Sequence, residues 1–206
     1  MKNKEKYIVL MLVLLNFWSC VGEVKEKLSK AKQTVSNTTT LIDKVQEAKE
    51  DIEHLKSVQP LTNDDLKNWL PVAVNSFNRT GFKVGLAGFA NVASIEGVFK
   101  LDNTNQKFKV NIIDGAGPAG SMVIAGLDMA ANMDMEQEDE SIHLQAVNAN
   151  GIQAQQTFYK KRNETSLQFV VDKRFGVIVN GVNINPDNTW KLVDELNLDV
   201  LSQIME

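Results

Sequence analysis

The chain predicts an α+β fold: a single antiparallel sheet with helices packed on one face, preceded by a long amphipathic helical spacer. Three observations carry that expectation. Apolar residues recur every three or four positions up to about residue 57, they alternate by two over most of residues 92–180, and the links between successive strand-like runs are too short for helical crossovers. A length of 206 residues suits one domain with an appendage.

Lys2, Lys4 and Lys6 precede an apolar run from Tyr7 to Phe17 that only Asn16 interrupts, the n-region and h-region of a signal peptide. The run is little more than half of the roughly 20 residues a membrane-spanning helix needs. Phe17-Trp18-Ser19-Cys20 follows, and it resembles the lipobox of bacterial lipoprotein precursors. Ser19 fits that pattern, whereas Phe17 and Trp18 depart from its usual leucine and small residue. The resemblance implies that residues 1–19 are a lipoprotein signal peptide, cut before Cys20, and that Cys20 carries the lipid, palmitate included. That lipid holds the protein on a membrane of the cell envelope, facing the periplasm or the surface. Cys20 is the only cysteine, so an exported chain has no disulfide partner for it. Losing Lys2, Lys4, Lys6 and Glu5 takes the net charge from −4 to −6. An acidic surface disfavours nucleic acid, and attachment is expected through lipid chains instead of a basic patch.

Residues 20–59 are expected to form a lipid-anchored helical stalk. Val24, Leu28, Ala31 and Val35, then Leu41, Val45, Ala48, Ile52 and Leu55, mark its apolar seam. The phase shifts at Ser36 to Thr40, where short polar and β-branched side chains disfavour helix. Glu23 with Lys27 and Glu26 with Lys30 are i,i+4 pairs in the favourable order. The pattern fits a spacer that self-associates through residues 21–57 as a short coiled coil, or a segment that folds back on the body or stays partly disordered.

The globular domain, residues 60–206, begins after Gln59. Thr62 and Asp65 have capping-box spacing, with Leu61 and Leu66 as the hydrophobic staple. Leu66, Trp69, Leu70, Ala73 and Phe77 share one helical face, which predicts a helix kinked at Pro71 and ended by Gly81. Ile95, Phe99 and Leu101 on one strand and Phe108, Val110 and Ile112 on the next flank the turn-rich Asp102-Asn103-Thr104-Asn105, a hairpin. Gly115 to Gly120 leads into a Met- and Ala-rich helix ending near Met133, then an acidic exit. Strands at about 141–147, 152–159, 165–171 and 174–180 follow, with turns expected at Asn150-Gly151 and Asn180-Gly181. Pro186-Asp187 opens a closing helix with Trp190, Val193 and Leu196 on its apolar face, and a last turn runs through Leu201 and Ile204.

Three segments of this region resemble an uncharacterised family of exported bacterial proteins and lipoproteins. They are Leu61-Thr62-Asn63-Asp64-Asp65-Leu66-Lys67 with Trp69-Leu70-Pro71, then Asn111-Ile112-Ile113-Asp114-Gly115-Ala116-Gly117, and Asp172-Lys173-Arg174-Phe175 leading to Val177, Val179 and Gly181. The resemblance spans about two thirds of the chain and implies a fold unit and an envelope location, with no substrate. The order of elements is also similar to the PsbP-like fold, an analogy of fold alone.

Gly115-Ala116-Gly117-Pro118-Ala119-Gly120 satisfies GxGxxG between a strand and a helix. A dinucleotide site also needs a parallel strand ending in an acid about 20 residues on, and Glu138 to Glu140 precede a strand instead. The expected role is a close-packed turn, with Gly115, Gly117 and Gly120 as a candidate anion-binding turn at a helix start. Asp134, Glu136, Glu138, Asp139 and Glu140 lack the glycine and carbonyl spacing of a calcium loop and read as a solvated helix exit. His54 and His143 are the only histidines, too few for a zinc site beside one lipidated cysteine, and no Ser/His/Asp or Cys/His set is evident. Met122, Met129, Met133 and Met135 either fill the core between helix and sheet, the usual role, or line an adaptable groove for a lipid or a partner helix. No cofactor or metal is expected. The functional expectation is a non-enzymatic, lipid-anchored envelope protein that contacts another envelope component. The alternative is a small-ligand or lipid carrier with its pocket between the Met-rich helix and the sheet.

Overall fold

The computed structural model describes residues 49–85 and 91–204. Cys20, the signal residues and the spacer up to residue 48 lie outside the described residues. Residues 49–57 are helical, and we call them α1. Leu55 of α1 is buried with Val92, Ile113 and Ile124, and Asp51 pairs with Lys173 at 3.0 Å, so this last part of the expected spacer rests on the body.

The next helix, α2 (Asn63–Trp69), starts as its spacing requires: Thr62 Oγ1 accepts the Asp65 N–H at 3.1 Å and Asp65 Oδ2 accepts the Thr62 N–H at 2.8 Å. It ends at Trp69, far short of the expected stop at Gly81, and Leu70 has already left the helix for an extended conformation. Pro71 is the cause, because it has no N–H to continue the ladder and pushes the residue before it out of the α region. Ala73 and Phe77 therefore lie in a hairpin, β1 (Ala73–Val74) and β2 (Phe77–Val84), turned at Asn75 with φ 50°.

Strands β3 (Ser94–Leu101) and β4 (Lys107–Asp114) form the expected hairpin. After helix α3 (Gly117–Ala131) come β5 (Glu136–Glu138), β6 (Ile142–Ala149), β7 (Ile152–Tyr159), β8 (Glu164–Val171) and β9 (Phe175–Val182), then α4 (Pro186–Asp194) and α5 (Val200–Gln203). The acidic exit is thus partly strand, since β5 pairs with β6. All nine strands join one antiparallel sheet in the order β1-β2-β3-β4-β9-β8-β7-β6-β5. Two meanders meet at the β4–β9 pair, and the chain must cross from β4 to the far edge before the second meander starts. Five strand spacings of about 4.8 Å make that crossing about 24 Å, and a helix of 15 residues at about 1.5 Å per residue covers about 22 Å. α3 is the bridge, touching β4, β9, β8 and β7. The sheet's edges are short, and β5 is Glu-Gln-Glu and fully exposed, which blunts edge-to-edge association.

Helices cover both faces of the sheet, which corrects the expectation of one. Val177 and Val179 point with Phe99, Phe108, Val110, Leu167 and Phe169 toward α2, α4 and α5, in a core that includes Leu66, Leu192 and Leu201. Ile113, Val170 and Ile178 have the opposite parity and meet Leu55 of α1 and Ile124 of α3. Both β4 and β9 are apolar on successive residues, as strands covered on two sides must be. The turn expected at Asn180-Gly181 is displaced to Asn183, with φ 58°, and Gly181 stays in β9. A Cβ there would lie 2.5 Å from Thr189 Oγ1 and 3.1 Å from Ile184 Cβ, so the glycine serves the seating of α4.

Two glycines therefore respond oppositely to one methyl. Gly181→Ala should lower unfolding stability by about 1–3 kcal/mol through overpacking. Gly126→Ala, in open space inside α3, should raise it by up to about 1 kcal/mol. Urea unfolding of both variants checks the pair.

Candidate functional site

Asp114, the last residue of β4, is fully buried and accepts hydrogen bonds at both carboxylate oxygens. Its Oδ1 accepts from Arg174 Nε at 2.7 Å and from the Ala116 N–H at 3.0 Å. Its Oδ2 accepts from Arg174 Nη2 at 2.8 Å and from the Leu61 N–H at 2.8 Å. Arg174 also donates to the Gln59 carbonyl at 3.2 Å and lies 5.0 Å from the Phe175 ring centroid. The three segments on which the family resemblance rests thus converge on one carboxylate. Sequence reasoning gave Asp114 and Arg174 no role of their own, although an acid directly after Ile112-Ile113 was a signal that it must be paired.

The glycine turn is built around this carboxylate. Gly115 N–H donates to the Arg174 carbonyl at 2.8 Å, and Ala116 N–H donates to Asp114. Gly117 has φ +78°, and Pro118 follows in the first turn of α3, where its missing donor costs nothing. A Cβ on Gly120 would sit 2.6 Å from the Asp114 carbonyl oxygen, and one on Gly115 2.6 Å from the Arg174 carbonyl oxygen. The segment singled out as a close-packed turn and candidate anion site therefore directs these two donors to the protein's own oxygens, and Gly115 and Gly120 allow backbone to touch backbone.

Beside it, a cleft of about 500 Å³ is lined by Asp51, His54, Leu55, Val58 and the β8–β9 turn from Asp172 to Arg174. Among the described residues no group of His, Cys, Asp or Glu is placed to hold a metal ion. His143 lies on β6, with Nε2 3.9 Å from Glu136.

The outer surface of α3 overturns the core-filling role of the methionines. The helix buries Gly117, Gly120, Ser121, Ile124 and Ala131, while Met122 is 72% exposed, Met129 67% and Met133 44%. Ile124 and Leu127 fill the face toward the sheet, where Gly176 of β9 leaves them room: a Cβ on Gly176 would lie 2.5 Å from Leu127 Cδ1 and 2.9 Å from Ile124 Cδ1. With that face filled, the long methionine side chains stand outward. Asp128 is the single charge on the helix.

Beyond α3, the β5–β6 turn is tied by carboxylates. Asp139 accepts from the Ser141 N–H at 2.6 Å and the Ile142 N–H at 2.9 Å, and these bonds hold its carboxyl below the usual aspartate range. Lys160 Nζ, 2.7 Å away, does the same for Glu138.

No family model, curated protein or solved structure matches the chain.

Asp114→Asn and Arg174→Met should each lower stability by about 3–5 kcal/mol, since either change strands a buried partner. The double variant should fall short of the sum by at least about 1 kcal/mol, read from a denaturant double-mutant cycle. Asp139 and Glu138 bind protons more weakly in the folded state, so their contribution is complete above the ordinary values of 3.8 and 4.5 and fades as pH falls below them. Exchange of the Ser141 and Ile142 amides, corrected for intrinsic rate, should accelerate on that descent, and Asp139→Asn should abolish the pH dependence.

Proposed function

We propose that this protein is a lipid-anchored envelope protein of the non-enzymatic, binding type, and that it meets its partner through the outer face of α3. The observation carrying this reading is the exposure of Met122 and Met129 on a helix whose other side is closed against the sheet, with exposed Met133 just past its end. A helix apolar on every side is usual where every side is covered, and large exposed apolar patches mark contact surfaces. Methionine suits such a surface because its unbranched thioether adapts to varied shapes. Packing of Ile124 and Leu127 against Gly176 favours the outer face over a small-ligand pocket between helix and sheet. The envelope location rests on Phe17-Trp18-Ser19-Cys20 and on the family resemblance. No helix of the described residues is long and apolar enough to cross a membrane, so the lipid on Cys20 supplies the attachment in this reading.

Growth with labelled palmitate should label the protein and leave Cys20→Ser unlabelled, and an unlabelled wild-type chain would remove the anchor. A photo-crosslinking residue at position 122 or 129 should capture a discrete envelope component in native membranes. The same group at Val72, 76% exposed, should not. Adducts at Val72 alone, or at none of the three, would remove α3 as the contact surface.

A further inference from the structure

We propose, resting on the reading of α3 as a contact surface, that what docks there is a cationic amphipathic helix of a partner protein. Two independent features of the surface meet in that partner.

The first is shape. Met122, Gly126 and Met129 follow one another at helical spacing along the outer stripe of α3, with Met133 just beyond its end, and a Cβ on Gly126 would meet nothing within 4 Å. Two flexible side chains on either side of a bare glycine form a shallow notch into which the apolar ridge of another helix fits.

The second is charge. From Val110 to Tyr159 the chain has no lysine or arginine, whereas Asp128, Asp134, Glu136, Glu138, Asp139 and Glu140 are all exposed. Asp128 adjoins Met129 in the chain and Asp134 adjoins Met133, so the acids border the apolar stripe. Lys160 pairs with Glu138 at 2.7 Å, so the charge bordering the stripe is carried by Asp128 and Asp134. An acidic rim around an apolar seat is complementary to lysine or arginine flanking an apolar stripe, and it repels the anionic headgroups of a bilayer. These charges favour a cationic helix over a lipid surface.

The test uses the purified full chain and three probes: a labelled amphipathic peptide of leucine and lysine, its leucine and glutamate counterpart, and vesicles of phosphatidylcholine with phosphatidylglycerol. Anisotropy should report micromolar binding of the lysine peptide, weakened about tenfold in Met122→Gln/Met129→Gln and about tenfold in Asp128→Lys/Asp134→Lys. Raised salt should weaken it as well, and Val72→Gln should bind as wild type. Unchanged thermal melts of the variants establish that each is folded. Equal binding of the glutamate peptide, indifference to the methionine or aspartate changes, or methionine-dependent binding to the vesicles in place of the lysine peptide would each overturn the proposal. If crosslinks form at Met122 or Met129 in membranes but the lysine peptide fails, the partner's chemistry is wrong and the contact surface stands. If the crosslinks also fail, the surface itself is wrong.

Discussion

The carboxylate of Asp114 is the point at which separate stretches of chain are brought to one place. It ends β4, holds the glycine turn through Ala116, grips the β8–β9 turn through Arg174 and takes the N–H of Leu61 just ahead of α2. A carboxylate buried without bonds is strongly unfavourable, so each of these donors is required once the aspartate is inside. The net gain over an apolar substitute is small for such pairs. Its contribution here is geometric, because the bonds are satisfied only when the two meanders, the start of α3 and the approach to α2 are all in register.

From that node the rest of the architecture follows. The chain leaves the centre of the sheet at Asp114 and must reach the far edge, and α3 spans the distance with Ile124 and Leu127 pressed on β8 and β9. Ile124 and Leu127 fill the room that Gly176 leaves on the inner face. The methionines therefore stand on the outside, bordered by acids. One constraint thus links the buried ion pair to the exposed surface on which the functional reading rests.

Much of this was legible in the residues. Alternation by two gave β3, β4 and the four strands β6 to β9 nearly in place, and the capping box located α2 to the residue. What failed were judgements that depend on neighbours distant in sequence. Helical periodicity through Ala73 and Phe77 was real as a pattern, yet Pro71 cut it and the same residues alternated into a hairpin. Gly181 resembled a turn glycine but answers to Thr189 across the α4 contact. Helices on two faces were hidden because only Ile113, Val170 and Ile178 carry the second core. The methionines could not be placed without knowing how near the sheet lies, and the pairing of Asp114 with Arg174 spans 60 residues. Of the glycines read as a turn, Gly115 lies between strand and helix while Gly117 and Gly120 are already in α3, and the internal oxygens that take the Gly115 and Ala116 donors were beyond any local pattern.

Native-state hydrogen exchange at the Leu61 amide tests the central role of Asp114 most directly, since that N–H lies in no helix or strand and its partner is the carboxylate. If the node organises the body, this amide exchanges only with global unfolding, with the same free energy and denaturant slope as the amides of β4 and β9. Exchange through a low-energy local opening that leaves those strands protected would contradict the account.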